Sequence, residues 1–195
     1  ANNKLKLSHY QIKGSLFMIK KKFREESDSM GQMSVPKDAL YGAQTARAVE
    51  NFPISKLRFN RSFIEALGVI KFSAAKTNLS LKLISKDVGN SIMKAADEVI
   101  SGKHDSEFIV DIFQTGSGTS SNMNANEVIA TLANKFIKGK AKVHPNDHVN
   151  LCQSSNDVIP TAMYISVYSL ILNSLIPNLK TLEKELASKA RKFDK

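Results

Sequence analysis

The last part of the chain limits most severely what it can fold into. From Val158 to Lys192 the sequence reads as helix, and Met163, Ile165, Val167, Leu170, Ile171 and Leu172 make it apolar nearly all round. Pro160 suits a first helical turn, and Pro177 is predicted to break or kink the run. Leu175, Leu179, Leu182, Leu186, Lys189 and Phe193 then alternate steps of four and three, a seam for packing against other helices. Two helices on the order of 20–25 Å each cannot cover one another's apolar faces. They expect a bundle.

The preceding residues read as a small mixed or helical unit, so the fold class is mainly α. Phe23–Phe52 is a polar extended segment followed by a short helix, with Pro36 favouring extension before it. Thr45 and Arg47 are expected to fix this segment by hydrogen bonds. Asn60–Leu83 has Phe63, Leu67, Ile70, Ala74 and Leu81 near helical spacing, with Asn60 or Ser62 as cap. Ser85–Ile100 carries Val88, Ile92, Met93, Ala96 and Val99 on one face, and Gly102 is placed to end it. His104, Asp105 and Glu107 are too few for a metal site and read as a solvated loop. Asn122–Ile137 is the next helix, with Ala125, Val128, Ile129, Leu132 and Phe136 as its buried stripe, and Lys138–Lys142 is a basic loop.

Two polar stretches stand directly before helices. Gln114–Glu127 contains Gly116 and Gly118, which permit tight turns and close approach of a ligand, and the hydroxyls of Ser117, Thr119, Ser120 and Ser121. With the unpaired N–H groups of a helix start, this suits a small anion such as a carboxylate. Read alone, the composition of the same residues favours a polar loop capping a helix. His144–Asp157 is again dense in neutral hydrogen-bonding groups. Its two histidines, His144 and His148, read alone as rings bonded to loop backbone.

Together with Val35–Phe52, these stretches resemble the first three landmarks of the class II fumarase/aspartase superfamily, over about residues 23–195. Gly-Ser-Gly-Thr at Gly116–Thr119 and Ser-Ser-Asn-Asp at Ser154–Asp157 are similar to fumarate hydratases. Aspartate ammonia-lyases tend to have Gly-Ala-Gly-Thr and Ser-Thr-Asn-Asp there. The resemblance implies that Ser117, Gly118 and Thr119 bind one end of a dicarboxylate, fumarate or malate. Ser154, Ser155 and Asn156 would hold its carboxylate and hydroxyl oxygens from a second segment. His144, Asn146 and Asp147 match a secondary anion site, although the family's arginine before it is replaced here by Ala141–Lys142 in a shorter loop. No catalytic residue is assigned within the chain, because the family's acid–base groups match positions beyond Lys195. The resemblance also implies a homotetramer whose active sites each draw on three subunits, with no cofactor and no metal.

The organisation that follows is a basic leader or tail over 1–22, a fumarase-like N-terminal domain over 23–153, and the start of a helical bundle over 154–195. The formal charge of +10 is concentrated in Lys4, Lys6, Lys13, Lys20, Lys21, Lys22 and Arg24, with no acid among residues 1–24. No interleaving of aromatic and basic residues supports nucleic-acid binding. No apolar stretch is read as long enough to span a membrane. The single cysteine, Cys152, excludes a disulfide framework and an iron–sulfur ligand set within the chain. A reducing cytoplasm is the expected compartment. The leader also resembles a transit peptide, but its scarcity of arginine ranks a mitochondrial destination lower. Two other functions remain open: the ammonia-lyase relative, and a non-catalytic helical module that binds a partner through Val158–Lys192.

Overall fold

The computed structural model describes residues 23–137 and 141–194; the leader 1–22 and most of the basic loop 138–142 lie outside the described residues. The extended segment is a hairpin. Strands β1 (Phe23–Asp28) and β2 (Gly31–Pro36) pair antiparallel, with Phe23 opposite Pro36 and Asp28 opposite Gly31. Strand alternation turns Met33 and Val35 inward against Ala43. Arg24, counted above with the leader's charge, belongs to β1. Its guanidinium donates to the carbonyls of Pro36, Lys37, Ala39 and Tyr41 at 2.8–2.9 Å, so this cation is a clamp on the chain leaving the hairpin.

Helix α1 (Ala43–Asn51) is tied in two directions. Arg47 donates to both carboxylate oxygens of Asp28, at 3.0 and 2.8 Å, and also reaches the carbonyl of Gly31. The start of α1 meets the carboxylate of Glu127, which accepts from the N–H groups of Gly42, Gln44 and Thr45 and from the Thr45 hydroxyl, at 2.6–3.1 Å. A carboxylate at a helix N-terminus satisfies orphan donors and complements the dipole. Gly42 is what lets it approach, because a Cβ there would lie 2.9 Å from Glu127 Oε1 and 2.6 Å from Glu26 Oε2.

The core lies among α2 (Arg61–Ser80), α3 (Lys86–Ile100), α4 (Thr119–Phe136) and the first turns of α5 (Ser155–Leu170). Leu67, Ile92, Val99, Val128, Ile129 and Val158 are its most enclosed side chains. Asn60 and Ser85 cap α2 and α3 by accepting from the N–H groups of Phe63 and Val88. The loop after α3 is stapled rather than merely solvated. His104 pairs with Glu98, Asp105 with Arg61, and Glu107 accepts from the N–H of Leu40.

Helix ends differ from expectation in a consistent way. α4 begins at Thr119 instead of Asn122, and α5 begins at Ser155, so Pro160 occupies the second turn instead of the first. Serine and threonine have low propensity in helix interiors but are well suited to a first turn. Pro177 does not end the helix. A wider π turn over Ile171–Leu175, closed by the Ile176 N–H on the Ile171 carbonyl, precedes it and makes room for the ring. α6 (Ile176–Phe193) then continues, so one helix of about 58 Å replaces the two shorter ones expected.

Past Ser166 this helix is bare. Val167, Leu170, Leu175, Leu179, Leu182, Leu186 and Phe193 are all exposed. An 18-residue window in Ser155–Phe193 has mean hydropathy 1.5 and only 17% of it is buried. The helix is thus long and apolar enough to cross a bilayer, and the expectation that no stretch reaches that length is corrected. Scattered Thr, Tyr and Ser residues interrupt the apolar run in sequence but leave its mean hydropathy high. Between Asp157 and Lys180 no residue is charged, yet Asn173, Ser174 and Asn178 interrupt the apolar surface, and the first turns pack into the protein core.

Four donors at the start of α1 converge on one acceptor. Replacing Glu127 by Gln puts an amide donor where one carboxylate oxygen now accepts, and is expected to lower unfolding free energy by about 2–3 kcal/mol in urea titration. An unchanged midpoint would show that the carboxylate does not hold α1.

Candidate functional site

Two helix starts meet on one face of the core. Gly118 precedes α4 with φ +71, a left-handed conformation that suits glycine. A Cβ there would stand 2.7 Å from Ile159 Cγ1, so the start of α4 lies flush against the first turns of α5. One turn into α4, the Asn122 amide donates to Ser155 Oγ at 2.8 Å. The two expected binding triplets, Ser117–Gly118–Thr119 and Ser154–Ser155–Asn156, therefore sit at neighbouring helix N-termini. Ser117 and Thr119 are exposed, with hydroxyl oxygens 2.9 Å apart. Ser154 caps α5 by accepting from the Asn156 N–H at 3.3 Å. Neighbouring helix starts bring positive dipole ends together, and the exposed Ser117 and Thr119 hydroxyls add neutral donors, which is chemistry for an anion.

Beneath this face the core is polar. Asn122, Asn124 and Asn126 are buried on α4, and Ser121 Oγ, Asn122 Oδ1 and Asn126 Oδ1 have no hydrogen-bond partner among the described residues. Lys71, in the middle of α2, is 0% exposed. Its Nζ donates to Asn150 Oδ1 at 3.0 Å and Gln153 Oε1 at 2.9 Å. Neither is charged, and burial brings the amine from 10.5 down to about 7. A neutral amine has two N–H donors, enough for both acceptors. Lys71 and Glu127 were not recognised in the sequence. The available signal was position: Lys71 falls on the α2 face that buries Phe63, Leu67 and Ala75, and Glu127 directly precedes Val128 and Ile129 in α4.

The residues matched to a secondary anion site lie elsewhere. A cleft of about 920 Å³ runs between the hairpin, α1 and α4, and His144 and Asn146 line it together with Arg47, Thr115, Ser120 and Glu127. Asp147 does not line it; its carboxylate lies 3.1 Å from His144 Nδ1. Neither binding triplet lines this cleft. The structure thus separates the anion-binding candidates into a face at two helix starts and a cleft beside α1. Among the described residues no three His, Cys, Asp or Glu side chains are placed to hold a metal ion.

Residues 31–195 match a family model described as lyase. The chain belongs to this lyase family. It is 56% identical over 175 residues to a class II fumarate hydratase of Halobacterium salinarum, covering 88% of this chain and 37% of that protein. An aspartate ammonia-lyase of a Bacillus species is 51% identical over 174 residues, with 87% and 37% covered. A crystal structure of the class II fumarase of Schistosoma mansoni superposes with TM-score 0.84 at 42% identity, covering 88% of this chain and 37% of that one. The mainly helical fold and the resemblance to class II fumarate hydratases are thereby shown. The chain spans little more than a third of the length of these relatives.

The buried amine gives a pH signature with a definite sign. The unfolded chain holds the Lys71 proton up to 10.5, whereas the folded chain releases it near 7. Between those values the unfolded state binds more protons, so this group makes the fold more stable as pH rises. Unfolding free energy measured between about pH 7 and pH 9 should climb by up to about 1.4 kcal/mol per pH unit more in the wild type than in Lys71→Met. Identical slopes in the two proteins would contradict a neutral buried Lys71.

Proposed function

We propose that this chain is part of a fumarate hydratase, which reversibly adds water to fumarate to give malate, and that its two helix starts bind the dicarboxylate. The observation carrying this reading is the meeting of the Ser117–Thr119 and Ser154–Asn156 donors through the Gly118–Ile159 and Asn122–Ser155 contacts. Removing the poorly acidic C3 proton of malate builds negative charge on the adjacent carboxylate. Donors fixed in advance stabilise that charge without having to reorganise. Hydroxyls and backbone N–H groups orient a dianion without neutralising it, and holding both ends places proton and leaving group on opposite faces.

In this reading the acid–base groups lie past Lys195, and the complete enzyme is a cytoplasmic homotetramer whose subunits share each active site. Residues 23–153 form its first domain, and 154–195 begin the central bundle. The exposed apolar side of α5 and α6 and the unpartnered oxygens beneath the site support a chain that other helices complete. His144, Asn146 and Asp147 supply a secondary anion site. The ammonia-lyase relative favours a second reading, addition of ammonia to give aspartate. Ser117 and Ser155 favour water.

Fumarate loss followed in the ultraviolet should show no turnover by the 195-residue chain alone. In the complete enzyme Ser117→Ala and Ser155→Ala should each raise KM for fumarate by about tenfold. Unchanged KM in both would refute the binding assignment, turnover by the short chain would refute the placement of the acid–base groups, and aspartate formed from fumarate and ammonia would favour the second reading.

A further inference from the structure

Helix α2 reaches beneath the loop between Val149 and Ser154 with two side chains. Asn78 donates to the Leu151 carbonyl at 3.1 Å, and Lys71 donates to Asn150 and Gln153. Both acceptors of Lys71 are themselves fixed by the loop. The Asn150 amide donates to the Gln153 carbonyl at 3.2 Å, and the Gln153 amide donates to the carbonyls of Val149 at 2.8 Å and Leu151 at 3.2 Å. Asn150 Oδ1 also accepts from Asn122 Nδ2 at 3.1 Å, the same nitrogen that donates to Ser155 Oγ. An unbroken path of hydrogen bonds therefore runs from Lys71 through Asn150 and Asn122 to Ser155, joining α2, the loop, α4 and the start of α5.

The geometry points to Lys71 as a positioning residue that sets the Ser154–Asn156 turn for the dicarboxylate through Asn150 and Gln153. This rests on the reading of that turn as a substrate site. A lysine is a costly choice for a core position whose neighbours along the helix face are Leu67 and Ala75, since an apolar side chain would fill the space without burying an amine. What the amine adds is two directed donors. They fix the amide planes of Asn150 and Gln153, and the orientation of Asn150 in turn fixes Asn122. Without them Asn122 has an alternative orientation, and Ser155 loses the donor that sets its hydroxyl.

In this inference the turn holds the carboxylate whose charge is the same in substrate and transition state, so loosening it weakens binding in both. Lys71→Met keeps the side-chain length and removes the donors. Asn150→Leu removes the shared acceptor and leaves α2 untouched. Steady-state hydration of fumarate by the complete enzyme should show KM raised about tenfold, with kcat within about twofold of wild type, for each variant that folds. Ser155→Ala, measured alongside, reports on the site itself. If Ser155→Ala leaves KM unchanged, the site reading fails and the role of Lys71 falls with it. If Ser155→Ala raises KM while folded Lys71→Met and Asn150→Leu leave it unchanged, the positioning role alone is overturned. A fall in kcat with KM unchanged would also overturn it, and failure of both variants to fold would make Lys71 a structural tie only.

Discussion

The carboxylate of Glu127 joins the two parts of this molecule. The hairpin and α1 have a small apolar contact of their own, Met33, Val35 and Ala43, which is little to hold a separate unit together. Their attachment to the helical core includes four donors converging on one buried acid and the Leu40 N–H on Glu107, while Arg24 and Arg47 lock the hairpin to the chain that follows it. Glu127 belongs to α4, whose first turn forms half of the candidate site. The cleft beside α1 and the face at the helix starts therefore share one helix, the cleft along its length from Ser120 to Asn134 and the face at its first turn.

The candidate site is built from polarity that an ordinary core would exclude. Buried polar groups are tolerated when each has a partner, and here Lys71, Asn122, Asn150 and Gln153 partner one another across three elements. Such a network gives little net stability compared with well-packed apolar side chains. It gives direction: each of these donors points at a defined acceptor, while Asn122 Oδ1 has no partner among the described residues. A site meant to orient a small dianion needs that directional quality, because the ligand has few atoms with which to define its own pose.

What could be read from the sequence was what is local. Caps at Asn60 and Ser85, the stop at Gly102 and the two hydroxyl-rich helix starts depend on residues within a few positions of one another. Lys71 and Glu127 depend on partners roughly eighty positions away, and their residue types contradict the apolar pattern around them. Helix starts were read about one turn late because Thr119–Ser121 are poor interior formers, although the first turn suits them. At Pro177 a break or kink is expected from sequence, and the continuous helix is not, because a π turn leaves no signature in residue type. The long helix is the clearest sign that its apolar surface exceeds what the described residues cover.

The central claim is that both helix starts hold one dicarboxylate. Amide hydrogen exchange on the complete enzyme, with and without malate, tests it most directly by following residues 117–121 and 154–158 together. The account predicts that malate slows exchange in both segments at the same ligand concentration. Protection confined to 144–147, or absent from either helix start, would contradict it.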